Sequence, residues 1–293
     1  MKHAILILAH KDWEQTARLV RYFSKNCKVY LHFDNKFPLP GEALRVLWSF
    51  SQTQGIYQEK NVHWGGFSLL ETELYLLSRA YADNEADYFH LLSGQDYPIV
   101  SLARFLHFFE SSLPANYLDC KPWQLSEWKD ERFDWYRYFF PYDEVDARTA
   151  IGNTYIQERL RVQINNGEQR PPFTMFDTIF KGSQWFSVTR DAVRYVLEFS
   201  SRYPDFLLRL KDTFAPEETY INTILCNRPD LFRIESHNLR FILWTGENGN
   251  NPSHLSLKHF ADLAASDALF ARKMVYPLCT ELIDKIDHQL LES

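Results

Sequence analysis

The sequence predicts an α/β protein: a mostly parallel sheet flanked by helices. Two observations lead to this prediction. Apolar runs of strand length alternate with amphipathic helical patterns along the first third of the chain, and short polar segments follow the apolar runs. With 293 residues the chain can bury a large core. We expect one domain over 1–293.

The first elements are justified in order. Residues 4–9 are apolar, too few to span a membrane, and typical of a buried strand. A helix is expected next, with Asp12 and Gln15 as its capping pair. Residues 29–33 form a second apolar run.

The later elements follow the same rhythm. Ser68 and Glu71 are expected to cap a helix that buries Leu70, Leu74 and Leu77. Residues 88–92 form the next strand, and Ser101 caps the helix after it. Residues 117–180 are rich in Trp, Tyr, Arg and Asp, have weak periodicity, and are interpreted as an insertion or lid. An amphipathic helix is expected around 278–290.

Three polar residues fall where a ligand site is expected. His10, Asp34 and Asp96 each come directly after a predicted strand. In open α/β sheets, ligands bind at the carboxyl ends of the strands. A strand-end histidine and turn-capping aspartates remain the structural alternative.

Composition and cysteine use narrow the partners. The net charge of −6 argues against nucleic acid as a partner. Four widely spaced cysteines have no CxxC pairing, so we expect reduced thiols, no zinc site and a cytoplasmic location. No transmembrane segment is expected, while peripheral contact with the inner face of a membrane through the aromatic segment stays open.

A pair of carboxylates is the candidate catalytic feature. Pro216 opens a predicted helix, and Glu217 and Glu218 lie in its first turn. A carboxylate near a helix N-terminus can stay ionised and deprotonate an acceptor hydroxyl. Both could instead be ordinary helix charges, and periodicity does not choose between them.

Phosphate and metal motifs are missing from the sequence. It contains no Gly-rich phosphate loop and no Asp-x-Asp pair. A diphosphate leaving group would then need Arg or Lys. Arg240, in a predicted strand, and Lys273, which follows Arg272 on a predicted late helix, are the candidates. A solvated helix face is the alternative for the second pair.

Seven blocks, in order, resemble one family. The sequence is similar to the core-2/I-branching β-1,6-N-acetylglucosaminyltransferases and the peptide O-xylosyltransferases, glycosyltransferase family 14, in a short bacterial form. The blocks are at residues 8–11, 32–36, 64–68, 92–99, 182–187, 215–220 and 269–273.

The resemblance implies a fold, a function and roles. The implied fold is a variant of the GT-A, Rossmann-type fold, with a nucleotide-binding half at about 1–115 and an acceptor half at about 116–293. The resemblance also implies inverting, metal-independent transfer of a sugar, GlcNAc or xylose, from a UDP-sugar to a hydroxyl of a glycan or glycolipid, in bacterial surface polysaccharide synthesis, with no cofactor. The implied roles are a general base (Glu218), diphosphate ligands (Arg240, Lys273), nucleotide contacts (His10, Asp34, Asp96) and acceptor contacts (Asp119, Arg132, Trp185, Glu217). The disulfides and membrane anchor of animal members are not expected here.

A phosphoesterase and a carbohydrate-binding protein are the alternative functions. A metal-dependent phosphoesterase could use His10, His32, Asp34 and Asp96, but such enzymes need denser His/Asp clusters. A carbohydrate-binding protein that lost its chemistry would not need Glu218, Arg240 and Lys273 together.

Overall fold

The fold is taken from a computed structural model. It describes residues 1–83, 85–111, 113–123, 134–172, 174–247, 249 and 251–291. The strands are β1 (His3–Ala9), β2 (Lys28–Phe33), β3 (Thr53–Tyr57), β4 (Tyr88–Ser93), β5 (Asp96–Pro98), β6 (Asn116–Leu118), β7 (Lys121–Pro122), β8 (Phe180–Lys181), β9 (Phe186–Thr189), β10 (Ile234–Glu235), β11 (Arg240–Ile242) and β12 (Phe270–Arg272). The helices are α1 (Trp13–Phe23), α2 (Gly41–Trp48), α3 (Phe67–Ala82), α4 (Leu102–Glu110), α5 (Ala150–Asn166), α6 (Arg190–Arg202), α7 (Pro204–Arg209), α8 (Tyr220–Cys226), α9 (Phe260–Ala264) and α10 (Thr280–Ile286).

The main sheet has seven strands in the order β10-β6-β9-β4-β1-β2-β3. β1 pairs in parallel with β2 and β4, β2 with β3, and β10 with β6. β9 is antiparallel to both of its neighbours, β4 and β6. The predicted α/β class with a mostly parallel sheet is therefore confirmed, and strands from both predicted halves share this one sheet.

Both faces of the sheet are covered, as the apolar runs require. Every residue of β1 is buried. Leu6 and Leu8 pack in one hydrophobic cluster, whereas Ile5 and Ile7 pack in a second cluster on the other face. A strand between two layers of helices has no solvated side, and its sequence is therefore continuously apolar rather than alternating.

The predicted cap of α4 is confirmed, and the predicted capping pair of α1 is wrong. Ser101 caps α4 as expected, since its hydroxyl accepts from the Arg104 N–H at 3.4 Å. The pair at α1 was wrong: Asp12 makes no side-chain cap, and the Gln15 amide donates instead to the main-chain oxygens of Gly94 and Met274. These partners are remote in sequence, which local pattern cannot reveal.

The start of α3 was also mispredicted. Gly66 precedes the helix, and the remote Asp143 carboxylate accepts from the N–H groups of Phe67 at 2.8 Å and Ser68 at 3.2 Å. A carboxylate from the insertion therefore caps α3, a role that was predicted for Ser68. This contact ties the insertion to the sheet layer.

The insertion contains a 17-residue helix, α5, that the sequence analysis did not assign. Thr149 caps it by accepting from the Gly152 N–H, and Gly167 ends it in the left-handed region at φ 67°. Ile151, Val162 and Ile164 are exposed apolar residues on this helix, and they blur its amphipathic pattern.

Of two predictions near the C-terminus, one is confirmed and one is wrong. The predicted terminal helix is confirmed as α10, continued by a π-helical turn at Asp287–Leu291. Arg272 ends strand β12 rather than lying on a late helix, so that prediction was wrong. Across the described ranges, no helix is both long and apolar enough to cross a membrane.

The prediction of four reduced cysteines was also wrong. Cys120 and Cys226 form a disulfide across 106 residues of sequence, whereas Cys27 and Cys279 are free and buried. Cys120 lies between β6 and β7, and Cys226 ends α8. Only the folded chain brings these two elements together, and spacing in the sequence therefore carried no signal.

Candidate functional site

A cavity of about 1120 Å³ opens at the carboxyl ends of the central strands. His10 follows β1, Asp34 follows β2, and Ser93 ends β4, and all three line the cavity. This is the sheet edge at which the sequence predicts a ligand. The volume is sufficient for a ligand larger than a single sugar, since pockets for drug-sized ligands span roughly 300–1,000 Å³.

His10 and Asp34 lie on the first wall of the cavity. Asp34 is buried, and its Oδ1 accepts from the N–H groups of Lys36 and Val62, each at 3.1 Å. It thus caps a turn and faces the cavity as well. Burial lowers the pKa of His10 to about 4, and nearby cations add to this shift. His10 is therefore a neutral imidazole at neutral pH.

Six cationic side chains line the cavity; Lys121 and Lys181 are two of them, and the other four are Lys11, Arg148, Arg272 and Lys273. Burial, followed by repulsion from Arg272, Lys11 and Arg148, lowers the pKa of Lys273 to about 8. Cations that repel one another in a partly buried site favour an anionic ligand, because that ligand removes the repulsion. We call these four residues the cation cluster.

Arg272 is the best anchored member of the cation cluster. Its Nη1 donates to Asp96 Oδ1 at 2.9 Å, and its guanidinium lies 4.4 Å from the ring centroid of Trp185. The sequence analysis weighed a solvated surface for this residue and its neighbour. Both instead line the cavity, because β12 runs beside β5.

Asp96 does not have the place expected of a nucleotide contact. It is fully buried and is not among the described residues that line the cavity. Its carboxylate accepts from the Ser93 N–H at 2.9 Å and from Arg272. Asp96 therefore orients Arg272, a cation of the cavity lining, and its own contact with a nucleotide stays a prediction.

Arg240 likewise lies outside the cavity lining that the structure describes. Its guanidinium is buried against Phe270, 4.7 Å from the ring centroid, and donates to the main-chain oxygens of Leu91, Phe186 and Asn238. An arginine enclosed in this way links β11 to the main sheet. Its contact with a diphosphate stays a prediction, whereas Arg272 lines the cavity beside Lys273.

Glu217 and Glu218 lie in a short 3-10 helix, Pro216–Glu218, and both line the cavity. Ala215 precedes it in the left-handed region at φ 48°, and its N–H donates to the Gly65 oxygen at 2.9 Å. The turn is therefore fixed by a remote segment. Helix α8 begins two residues after Glu218, and its apolar residues Ile221, Ile224 and Leu225 are all buried.

The two glutamates have different surroundings. Glu218 is partly exposed, and its Oε2 lies 2.7 Å from the Lys181 ammonium. Glu217 is only 6% exposed, and its Oε2 has no hydrogen-bond partner among the described residues. Burial, followed by the charge of Glu218, raises the pKa of Glu217 to about 8. At neutral pH Glu217 is mainly a neutral acid.

A glycine brings Lys181 to this place. A Cβ on Gly182 would lie 1.7 Å from the Asp119 main-chain oxygen, so only glycine allows this approach. The Gly182 N–H also donates to the main-chain oxygen of Glu218 at 2.9 Å. The close packing places the Lys181 ammonium beside the Glu218 carboxylate.

The predicted acceptor residues are partly assembled here. Asp119 and Trp185 line the cavity with Glu217, and Asp119 accepts from Asn238 Nδ2 at 2.6 Å. Burial raises the pKa of Asp119. Arg132 lies outside the described residues.

Aromatic side chains form another wall. Trp64 is 42% exposed and lines the cavity with Trp135, Tyr142 and Phe214. The Phe214 ring centroid lies 4.5 Å from that of Trp135 and 4.7 Å from that of Tyr142. Exposed aromatic faces of this kind can stack on the C–H faces of sugars.

Four charged residues of the cavity were not predicted from the sequence: Lys11, Lys121, Arg148 and Lys181. Lys11 directly follows His10, and Lys181 directly precedes the block at 182–187, so proximity to the blocks was an available signal. Arg148 had no such signal, because it comes from the aromatic insertion. Within the described residues, no group of three or more His, Cys, Asp or Glu side chains could hold a metal ion.

Comparisons with known proteins fit this geometry. Residues 4–266 match the family model of the Core-2/I-Branching enzymes. The β-glucuronosyltransferase GlcAT14A of Arabidopsis thaliana is 29% identical over 213 residues, 70% of this chain and 43% of that protein. Xylosyltransferase 1 of Homo sapiens is 24% identical over 311 residues, 98% of this chain and 30% of that protein. The chain spans less than half the length of these relatives.

Among solved structures, the glycosyltransferase GlyE of Streptococcus pneumoniae aligns over 94% of this chain and 55% of its own, with 10% identity and a TM-score of 0.37.

Fold and cavity together define an α/β protein whose cavity is lined by a cluster of cationic side chains and a pair of glutamates. The chain belongs to the Core-2/I-Branching enzyme family. The family resemblance found in the sequence is thereby confirmed.

Proposed function

We propose that this protein is an inverting glycosyltransferase that moves a sugar from a UDP-sugar to a hydroxyl of a glycan acceptor without a metal ion. One observation carries the proposal: the cation cluster and the glutamate pair line the same cavity. The first suits a departing diphosphate and the second suits an attacking hydroxyl. Family membership supports sugar transfer, because the matched relatives are named as glycosyltransferases.

The donor half rests on charge. As the bond between sugar and diphosphate breaks, negative charge grows on the diphosphate oxygens, and Arg272 and Lys273 are placed to stabilise it. Preorganised cations can supply the stabilisation that other nucleotide-sugar transferases obtain from a divalent cation. His10 and Asp34, on the wall formed by β1 and β2, are proposed to contact the nucleoside.

The acceptor half rests on the carboxylate of Glu218. We assign it as general base: it takes the proton of the acceptor hydroxyl, whose oxygen bonds to the anomeric carbon from the face opposite UDP. The bond from that carbon to the diphosphate breaks, and its electron pair leaves with UDP. Asp119, Trp185, Glu217 and the exposed face of Trp64 are proposed to hold the acceptor.

The sugar belongs to the proposal as well. GlcNAc and xylose are the donors that the resemblance implies, and the matched β-glucuronosyltransferases add glucuronic acid to the set to be tested. We extend the proposal to a surface polysaccharide or lipid-linked glycan acceptor on the same family grounds.

Thermal unfolding with nucleotides is the direct test. UDP and one UDP-sugar should raise the midpoint, since a ligand that binds only the folded state stabilises it, and EDTA should not change the shift. UDP-GlcNAc, UDP-xylose, UDP-glucuronic acid, UDP-glucose and UDP-galactose form the panel. A shift abolished by EDTA refutes the metal-free mechanism, and no shift with any nucleotide refutes the donor assignment.

Turnover tests the base. Glu218→Gln keeps size and hydrogen bonding but removes the basic oxygen, so UDP release should fall by about 10²- to 10⁴-fold. The nucleotide-induced shift should remain. Near wild-type turnover in Glu218→Gln contradicts the assignment.

A further inference from the structure

The carboxyl groups of Glu73, Glu217 and Glu218 lie near one another at the cavity, and the Lys181 ammonium contacts that of Glu218. Glu73, on α3, is fully buried, and its Oε1 has no hydrogen-bond partner among the described residues. The nearest described donor to its other oxygen is Gln184 Nε2, at 3.5 Å. Glu217 also has an unpartnered buried oxygen, whereas Glu218 is paired with Lys181.

This arrangement holds one negative charge more easily than two or three. Each buried carboxylate without a counterion carries a large desolvation penalty, and adjacent carboxylates repel one another. Burial raises the pKa of Glu73, and Glu217 contributes to the shift. The charge therefore resides where the cation is, on Glu218.

Lys181 is itself held firmly. Its side chain is 8% exposed, and its ammonium lies 4.5 Å from the ring centroid of Trp135. Gly182 fixes the adjoining main chain against Asp119. A buried ammonium stays charged when an anion is beside it, and Glu218 Oε2 meets that need at 2.7 Å. The same contact leaves Glu218 Oε1 with no hydrogen-bond partner among the described residues.

We propose that Lys181 decides which of the two adjacent glutamates is the base, because its ammonium contacts and orients the Glu218 carboxylate at 2.7 Å, whereas Glu217 Oε2 is buried with no hydrogen-bond partner among the described residues. This inference rests on the proposed transferase function. Lys181 is a positioning residue: the acceptor proton moves to Glu218 Oε1, and the lysine keeps its own protons. Neutral Glu217 can then donate a hydrogen bond to an acceptor oxygen.

The other charged and titratable groups near the pair come from several elements. They are Glu73 on α3, Asp119 after β6, Tyr136 and Asp143 in the insertion, Glu217 beside the base, and Lys121, which pairs with Lys181 between β7 and β8. Four of these six are carboxylic acids, Tyr136 is phenolic, and Lys121 makes no ion pair with Glu218 among the described residues. Lys181→Met removes the cation that contacts Glu218, and the acidic limb of turnover should therefore move to higher pH.

Lys181→Met is the test variant, and Lys181→Arg restores the charge. With UDP release measured across pH on a panel of aryl glycoside acceptors, Lys181→Met should lower kcat by about 10- to 100-fold at pH 7, a fraction of a full base contribution. Its acidic limb should move up by about one pH unit, since a nearby opposite charge shifts such groups by about 1–3 units. Affinity for UDP should stay unchanged, and Lys181→Arg should recover most of the loss.

Lys28→Met is the matched control. Lys28 also lies in a strand and pairs with a carboxylate, Glu85, at 3.1 Å, but is not among the described lining residues. Its kcat and pH profile should equal those of the wild type. An unshifted acidic limb in Lys181→Met, or a loss that appears only in UDP affinity, overturns the inference.

A second measurement does not need turnover. Carboxyl ¹³C NMR of protein labelled at glutamate Cδ, assigned with Glu217→Gln and Glu218→Gln, reports each titration directly. The Glu218 signal should titrate at higher pH in Lys181→Met than in the wild type, and an unchanged titration refutes the inference. A wild type that releases UDP from no donor, yet shows this shift, refutes the transferase function and leaves the role of Lys181 supported.

Discussion

Replacing Lys273 tests the diphosphate site most sharply, because burial and three neighbouring cations perturb this residue. A charge-assisted hydrogen bond contributes about 1.5–3 kcal/mol. Lys273→Met should therefore weaken UDP binding by about 10- to 150-fold. Lys258→Met removes an exposed lysine that is not among the described lining residues, and it should bind UDP as the wild type does.

The pH dependence gives a second magnitude from the same residue. With a pKa of about 8, Lys273 in the free protein is mostly charged at pH 7 and mostly neutral at pH 9. UDP favours the charged form, so affinity should fall as pH rises, by about tenfold between pH 7 and pH 9. Binding at pH 8 should take up about half a proton, since half of the free sites are then neutral.

Isothermal titration calorimetry in buffers of different ionisation enthalpy measures both quantities. The wild type should show proton uptake that grows from pH 7 to pH 9, and Lys273→Met should not show it. Equal UDP affinity in the variant, or no proton uptake by the wild type at pH 8, refutes the reasoning.

Three further outcomes are expected. Arg240→Met should lower the unfolding free energy by about 1–3 kcal/mol, because buried carbonyl partners lose a donor, with UDP affinity in calorimetry nearly unchanged; a large affinity loss restores Arg240 to the ligand site. Burial lowers the pKa of His3 to about 4 and also lowers the pKa of His90, so stability is present above pH 6.5 and is lost as pH falls toward 4; for His3 the loss at pH 5 is about 2 kcal/mol in urea unfolding, and a flat profile contradicts it. Alkylation of unreduced, denatured protein should label two cysteines by mass spectrometry, with Cys120 and Cys226 protected; four labels would restore the reduced state expected for a cytoplasmic protein.

Much of the fold could be predicted because its information is local. The runs at 4–9, 29–33 and 88–92 are strands, since strands buried on both faces are mostly apolar, with His32 and His90 as buried polar exceptions. Ser101 caps its helix because the donor and acceptor are three residues apart. These features depend on residues that are close together in the sequence.

The misses have the opposite cause. Asp143 caps α3 from 75 residues away, and the Gln15 amide reaches Met274 across 259 residues. Local capping rules consider only residues next to a helix in sequence, and they cannot identify partners that come from remote segments. Helix α5 escaped because its exposed apolar residues weaken the amphipathic pattern.

The sequence by itself determined the α/β class, the family and the edge of the sheet where His10, Asp34 and the glutamates meet. Only the tertiary structure decided which charges face the cavity. Arg240 and Arg272 are both arginines in short strands, yet one is enclosed by main-chain oxygens and the other faces the ligand space. Glu217 and Glu218 are adjacent in sequence but differ in burial and counterion. Charge state depends on solvent and on partners brought from remote segments, and these exist only once the chain has folded.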